Sequence, residues 1–363
     1  MKSIKLRDKK LQEEYDYIIE KYYFDIPDEY AIFVKMVIMN FKRYSNDEDY
    51  IVFMVVYGLI FMKKLDINDP DVKESYKIKS KQLLRILQCE INGDPVGFLN
   101  SIYEIDDELF NLRMIIKYSV LIFERRNKQM IISSDEMKKK HYLKFIGYII
   151  PYLTFKESKF LSFFQDIYFE YMYSEEYIDT KIRYIEKMKK TGLAGEYVIN
   201  VVNHLSEVMI EGKITSIMKV RKKSFFSIFN KIKRKQDLNF TDSIGVRLIF
   251  NNDEDLDKYK KLFEEKFIYT KKKDYISKPK ENGYQSLHYS FVTLHENNEI
   301  YVELQLRTIA MENNIKKTRG ISHYTYTVKK NKWDTLFTEV QFGHYHLTEY
   351  IKIKKDSVKR PHS

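Results

Sequence analysis

The sequence predicts an α+β protein in which a helical N-terminal domain precedes a domain built around a β-sheet. Gly and Pro are scarce, at 11 and 6 of 363 residues, which argues against a turn-dense all-β architecture. Apolar residues recur at three- and four-residue spacing through roughly the first 190 residues, and this helical period is lost after Gly212. We expect a helical domain over 1–190, a sheet domain over 191–330 and a basic tail over 331–363.

Apolar spacing and turn residues predict the helices of the first domain. The apolar run Ile51–Met62 is shorter than the roughly 18 residues of a membrane span, so it predicts a buried core helix. Asn-Asp-Pro at 68–70 predicts a helix start ahead of 71–88, and Asn-Gly-Asp-Pro at 92–95 predicts a break between two helices. The acidic residues 106–108 are typical of another helix start.

The sheet domain is predicted to have the order β-α-β-α-β-β-α, an α/β or α+β unit. The lysine run 271–273 and the Pro- and Gly-containing loop after it are assigned no strand. The predicted strands are Ile214–Val220, Ser243–Phe250, Ser286–Leu294 and Ile300–Leu306, and the predicted helices are Ser224–Lys235, Asp253–Lys266 and one from Thr308 onward.

The net charge of +11 comes from the C-terminal part of the chain, because residues 211–363 carry +12 and residues 1–210 carry −1. A basic segment of this kind favours a polyanion such as a nucleotide or RNA, or an acidic partner, although a solvated lysine-rich surface has the same composition. Cys89 is the single cysteine, which excludes an internal disulfide, and the N-terminus has no apolar secretion signal. We therefore expect a cytoplasmic protein with no membrane partner.

Arg221, Lys223, Ser227 and Lys231 form the densest group of candidate ligands. On a helix starting near Ser224, Ser227 and Lys231 share a face, so that a hydroxyl and an ammonium can reach one phosphate chain. This pattern suits a triphosphate, and a solvated basic helix is the alternative.

Asp242 and Glu303 are each placed on or beside a predicted apolar strand. A carboxylate in such a position is costly unless it is paired or bound to a metal. Two of them on neighbouring strands could hold Mg²⁺ together with substrate phosphates. The alternative is a partnership of Glu303 with Arg307 or Arg247.

The loop 273–288 mixes cations with aromatic and amide groups ahead of a strand. Aromatic rings beside cationic side chains can stack a base and hold its phosphates. By this chemistry alone, Tyr284 is a weak candidate for base binding.

Four motifs in this region, in order and with ordinary spacing, resemble those of the RelA/SpoT-type (p)ppGpp synthetase domain. A weaker resemblance covers residues 164–171, which look like the segment that joins hydrolase to synthetase in long members of the family. The four motifs are Arg221-x-Lys223-x-x-x-Ser227-x-x-x-Lys231, Asp242-x-x-Gly245-Val246-Arg247, the loop from Asp274 to His288 with Asn282-Gly283-Tyr284-Gln285, and Glu303-Leu304-Gln305-Leu306-Arg307-Thr308.

The resemblance implies a nucleotidyltransferase-like fold that transfers the β,γ-pyrophosphate of ATP to the ribose 3′-hydroxyl of GDP or GTP. It implies that Asp242 and Glu303 hold Mg²⁺, that Glu303 is the base for the acceptor hydroxyl, and that Tyr284 stacks on guanine. The implied ATP ligands are Arg221, Lys223, Ser227, Lys231 and Arg247, and the implied acceptor ligands are Lys280, Asn282, Tyr284, Gln285 and His288.

The chain also departs from the family pattern. Residues 1–140 contain no His, whereas hydrolase-active members use a His-Asp metal site in this half. We therefore expect no (p)ppGpp hydrolysis and a degenerate or regulatory N-terminal domain. The chain ends soon after the synthetase unit, so we expect no C-terminal regulatory modules. Cations occupy residues 316–319, where the family usually has a Glu before a Gly.

Two other functions are considered. Toxin-type relatives transfer pyrophosphate to the 3′ end of tRNA, and the cations at 316–319 and 352–360 would suit an RNA backbone. A catalytically silent nucleotide sensor is the third interpretation, which the retained Asp242, Glu303 and Tyr284 disfavour. A homo-oligomer is left open.

Overall fold

The computed structural model describes residues 4–23, 26–127, 136–156, 158–189, 196–235, 244–280, 283–295, 298–314 and 337–359. The chain forms two compact units, Met1–Ile149 with Thr348–Ser363, and Ile150–Leu347. The domain boundary predicted at 191–195 lies outside the described residues. No helix in the described ranges is long and apolar enough to cross a membrane.

The first unit is helical. As expected, the run Ile51–Met62 lies in a core helix, where Tyr50 to Tyr57 are all buried. Gly93 ends one helix in the left-handed region, with φ of 74°, and the Asp94 carboxylate caps the next helix by accepting from the Gly97 N–H at 2.9 Å. Its helices are α1 (Lys9–Tyr22), α2 (Asp28–Phe41), α3 (Glu48–Phe61), α4 (Glu74–Asn92), α5 (Pro95–Glu104), α6 (Asp107–Asn127) and the first part of α7 (Glu136–Phe155).

The second unit combines a mixed sheet with helices. The sheet has the strand order β1-β2-β5-β4-β3, in which β2 and β5 are parallel and the other neighbours are antiparallel. Its elements are α8 (Leu161–Met172), α9 (Ser174–Lys189), α10 (Glu196–Gly212), β1 (Ser216–Lys222), α11 (Phe225–Lys235), β2 (Ile244–Phe250), α12 (Asp253–Lys266), β3 (Tyr269–Asp274), β4 (Leu287–His295), β5 (Asn298–Thr308), α13 (described over 309–314) and α14 (Thr338–Lys359), which runs on past Leu347.

The two faces of this sheet differ in chemistry because side chains alternate along each strand. Val302, Leu304 and Leu306 of β5 are fully buried and join the core that includes residues of α10 and α12. Glu303, Gln305 and Arg307 occupy the alternate positions. The sheet therefore has an apolar core face and a polar face.

Three sequence predictions differ from the structure. The lysine run 271–273 lies in β3, an edge strand that is exposed throughout and so lacks the apolar alternation that reveals strands. Asp69 does not open a helix: its carboxylate accepts from the Asp71 N–H at 2.9 Å in a local turn, and α4 begins at Glu74. The predicted C-terminal tail contains α14.

Truncating a side chain on the core face should destabilise the protein. Leu304→Ala removes a fully buried group at the centre of the sheet, so we expect the free energy of unfolding to fall by about 2–5 kcal/mol. Leu294→Ala is the matched control, because Leu294 of β4 is 61% exposed, and it should cost less than about 0.5 kcal/mol. Urea unfolding followed by circular dichroism measures both. Equal losses would mean that the two faces are assigned wrongly.

Candidate active site on the polar face of the sheet

Glu303 lies in the middle of the polar face. The parallel register places it opposite Gly245 of β2, and the antiparallel register places it opposite Ser290 of β4. Gly245 has no side chain to cover this position. The Glu303 side chain is 29% exposed, so a carboxylate at the centre of the sheet remains accessible to a ligand.

His288 and Gln305 contact the Glu303 carboxylate. Gln305 Nε2 donates to Glu303 Oε2 at 3.3 Å, and His288 Nδ1 lies 3.5 Å from Glu303 Oε1. Burial lowers the pKa of His288, and the neighbouring carboxylate partly opposes that shift. His288 also shares a 2.7 Å hydrogen bond between its Nε2 and the Tyr284 hydroxyl, so both ring nitrogens contact candidate site residues.

Glu312, in α13, pairs with three cations of the polar face. Its Oε2 accepts from Arg307 at 2.9 Å, and its Oε1 lies 3.5 Å from Arg247 and 3.4 Å from Lys219. These cations keep the pKa of Glu312 below its ordinary value despite burial, with Arg247 the largest contributor. Both arginines thus form ion pairs with Glu312.

A tight turn presents Tyr284 to the same face. Gly283, with φ of 72°, donates to the Lys280 carbonyl at 2.7 Å and lets the chain reverse. The Lys280 ammonium lies 4.8 Å from the Tyr284 ring centre, and the Arg307 guanidinium lies 4.7 Å from it and donates to the Tyr284 hydroxyl at 2.6 Å. The turn therefore joins an aromatic ring to two cations, as the sequence interpretation expects.

The start of α11 is anchored to α8. Ser224 Oγ donates to the Gln165 amide oxygen at 2.8 Å, Ser227 Oγ lies 2.8 Å from Ser224 Oγ, and the Phe226 N–H donates to Asp166. Gln165 and Asp166 belong to the segment 164–171 that the weaker resemblance covers. Ser227, predicted as a phosphate ligand, also has a role in fixing α11, whose apolar residues Phe225 and Ile228 pack in the sheet core.

Two predicted site residues lie outside the described part of the chain, and four others are located by the elements that carry them. Asp242 and Asn282 lie outside the described residues, and Asp242 precedes the first residue of β2 by two positions in the sequence. Arg221 lies in β1, where its backbone pairs with Gly245. Lys223 lies just before α11, and Lys231 lies within it. Gln285 lies between the turn and β4. The structure thus brings together Glu303, Arg247, His288, Tyr284 and Lys280.

The donor atoms expected for Mg²⁺ are of the right kind. Carboxylate oxygens are its usual protein ligands, commonly one or two of them, and substrate phosphates and water supply the rest. Asp242 and Glu303 fit this set. Among the described residues, no group of three or more His, Cys, Asp or Glu side chains lies close enough to hold a metal ion.

Sequence reasoning missed Glu312, Lys219 and Tyr275. Lys219 and Arg247 are register partners on one face, and such a concentration of cations requires a carboxylate nearby. The sequence does not show the register that brings these cations together, so it did not indicate Glu312, five residues after Arg307. Tyr275 packs edge-on against Tyr284 and His288, with ring centres 5.9 and 5.3 Å apart, and its sequence context has no signal either.

Residues 220–332 match the family model described as a region found in RelA / SpoT proteins. A guanosine-3′,5′-bis(diphosphate) 3′-pyrophosphohydrolase of Borreliella burgdorferi is 25% identical over 349 residues, which cover 85% of this chain and 50% of that protein. The chain thus spans half the length of this relative. The GTP pyrophosphokinase YwaC of Bacillus subtilis is 33% identical over 157 residues, which cover 38% of this chain and 73% of YwaC.

A solved structure also aligns with part of the chain. The crystal structure of small alarmone synthetase 2 from Bacillus subtilis is 28% identical, and the alignment covers 44% of this chain and 94% of the synthetase with a TM-score of 0.31.

Replacing Glu312 should destabilise the protein in a pH-dependent way. Glu312→Gln leaves Arg307 and Arg247 without their carboxylate, so we expect a loss of about 3–5 kcal/mol at pH 7. Because the folded pKa of Glu312 is depressed, its stabilising effect is complete above the unfolded value of about 4.5 and is lost as pH falls through the folded value. The difference from the parent protein should therefore shrink below about pH 4.5.

The control is Glu104→Gln, which breaks an ion pair with Arg85 in which both side chains are 59% exposed. It should cost less than about 1 kcal/mol. Chemical denaturation of the three proteins between pH 3 and pH 8 measures the effect. A Glu312→Gln difference that does not change with pH would contradict an ionic role for this residue.

Proposed function

Because this chain belongs to the RelA/SpoT family, we propose that it transfers the β,γ-pyrophosphate of ATP to the ribose 3′-hydroxyl of GDP or GTP. The observation that carries the proposal is the position of Glu303. It lies on the polar sheet face with the cations Arg247 and Arg307 on the same face, and with the Tyr284 ring linked to it through His288. A base, cations that bind and position the nucleotides, and a stacking ring are the groups that this transfer requires.

The donor is proposed to bind at β1, β2 and α11. Arg221 and Arg247 would enclose the adenine, with Lys223, Ser227 and Lys231 on the phosphates. Strand register supports the placement of the two arginines. Arg221 lies opposite Gly245 and Lys219 lies opposite Arg247, so Arg221 and Arg247 are diagonal neighbours on the same face of β1 and β2. For Ser227 to bind a phosphate, its hydroxyl would turn away from Ser224 and Gln165, which a side chain with one rotatable bond can do.

The acceptor is proposed to bind at the turn. Tyr284 would stack on guanine, and Lys280, Asn282, Gln285 and His288 would surround the acceptor nucleotide. Lys280 is the flexible cation beside the ring and could move to a phosphate, whereas Arg307 is held by Glu312 and Gln305. The Tyr284 ring would keep its orientation through Arg307 and His288 as the base binds.

Glu303 is proposed as the base that takes the proton of the 3′-hydroxyl while the hydroxyl oxygen bonds to the β-phosphorus of ATP. The bond from that phosphorus to the α–β bridging oxygen breaks, and AMP leaves. The contacts of Glu303 with Gln305 and His288 orient the carboxylate. Asp242 and Glu303 would hold Mg²⁺, which when bound would neutralise phosphate charge. The cations of the polar face would stabilise the charge that develops on the transferred group.

We propose that (p)ppGpp hydrolysis is absent. The Borreliella relative is named as a hydrolase, but residues 1–140 of this chain contain no His. Imidazole is the commonest nitrogen ligand of divalent transition metals in such sites. The helical unit would then serve a purpose other than hydrolysis.

An acceptor assay tests the proposed reaction. Purified protein is incubated with Mg²⁺ and ATP labelled in the γ-phosphate, with GDP, GTP or deacylated tRNA. We expect label in GDP or GTP and none in tRNA, and no breakdown of added ppGpp. Label in tRNA alone would replace the proposal with the toxin-type activity. Glu303→Gln should lower turnover at least about 100-fold, whereas Glu265→Gln, an exposed site on α12, should not. Unchanged turnover in Glu303→Gln would refute the assignment of the base.

Two substitutions at Tyr284 separate stacking from hydrogen bonding. Tyr284→Ala removes the ring and should raise the KM for the guanine nucleotide about 5- to 100-fold, since base stacking contributes about 1–3 kcal/mol. Tyr284→Phe keeps the ring and loses the bonds to Arg307 and His288, so it should retain most of the affinity. The KM for ATP should change little in both variants. Equal losses of acceptor affinity in Ala and Phe would show that the hydroxyl, and not the ring, matters.

A further inference from the structure

The helical unit contains a cavity whose lining is apolar except at one end. Its volume is about 50 Å³. Side chains of α2, α3 and α6, among them Val37, Met54 and Val120, form the apolar wall. Arg113 and Tyr142 also line it. A guanidinium at an apolar cavity is costly unless an anion accompanies it.

Arg113 belongs to a buried cluster of charged side chains. Arg113 and Lys117 both pair with the Glu90 carboxylate, with Lys117 Nζ 2.7 Å from Glu90 Oε1. All three side chains are at most 3% exposed. Burial lowers the pKa of Lys117 to about 8, which still leaves it mainly protonated at pH 7. Lys117 Nζ also donates to the Tyr142 carbonyl at 3.1 Å and lies 3.5 Å from the Tyr142 ring centre, and the Glu124 carboxylate acts on the Tyr142 hydroxyl.

Two polar atoms at the cavity also lack good hydrogen bonds. Arg113 Nε finds no acceptor in the described part of the chain, although the residue is almost completely buried. The Tyr142 hydroxyl lies beside the Arg113 guanidinium and likewise makes no well-formed hydrogen bond there. A buried guanidinium with an unused N–H favours a ligand with anionic oxygens.

We propose that this cavity binds a short-chain monocarboxylate, with its carboxylate on Arg113 and Tyr142 and its alkyl group against Val37, Met54 and Val120. A cavity needs about 10–15 Å³ for each water-sized group, so this one has room for roughly three to five such groups. Propionate and butyrate match that size, and a long acyl chain does not. This site is separate from the proposed transfer reaction and does not depend on it.

Thermal unfolding and calorimetric titration with sodium propionate test the site in the full-length protein. We expect saturable stabilisation with a dissociation constant on the order of 1 mM. Propionamide, which has the same shape without the charge, and sodium chloride at equal ionic strength should give no such effect. An equal response to propionamide or to chloride would overturn the proposal, because the carboxylate would then not be recognised.

Variants locate the binding. Arg113→Met removes the guanidinium and leaves Glu90 paired with Lys117, so the fold keeps a balanced ion pair and propionate binding should be lost. Val37→Phe fills the cavity while Arg113 stays, and it should abolish binding as well. Arg85→Met, an exposed site in the same unit, should bind propionate normally. Retained binding in Val37→Phe would show that the ligand lies elsewhere, even if Arg113→Met failed to fold.

Discussion

The alternation of side chains along β5 is the constraint on which the second unit depends. Val302, Leu304 and Leu306 close the core against the helices, and the residues between them, Glu303 and Gln305, face the opposite side. Since the strand lies between β2 and β4, both neighbours add their own alternate residues to that side. A polar surface in the middle of a sheet results, and it can hold the charged groups that phosphate chemistry needs.

That polar surface is stable because the Glu312 carboxylate partly neutralises its cations. Glu312 pairs with Arg307, Arg247 and Lys219, and without it like charges would repel one another at short range. Arg307 in turn donates to Tyr284 and Gln305. One buried carboxylate thus fixes the side chains at both the strand positions and the turn.

The sequence predicted the elements whose apolar pattern is strong, and it failed where that pattern is absent. β2 and α12 were placed within a residue of their observed bounds, because alternation and an acidic first turn mark them. β3 was missed because its lysines face solvent on an edge. The contact of Glu303 with His288 follows from strand register, which the sequence motifs do not show. The ion pairs of Glu312 depend on α13 folding back over the sheet, and no sequence pattern indicates that packing.

Burial separates the cations of the polar face by what they can do. Arg307 is almost fully buried and is committed to Glu312, Tyr284 and Gln305. A phosphate could reach it only by breaking those bonds, so Arg307 positions its neighbours. The Lys219 and Arg247 side chains are 50% and 22% exposed and hold Glu312 only at 3.4–3.5 Å. These looser pairs can be exchanged for contacts with a ligand at little cost, which is the property that the proposed place of Arg247 beside the adenine requires.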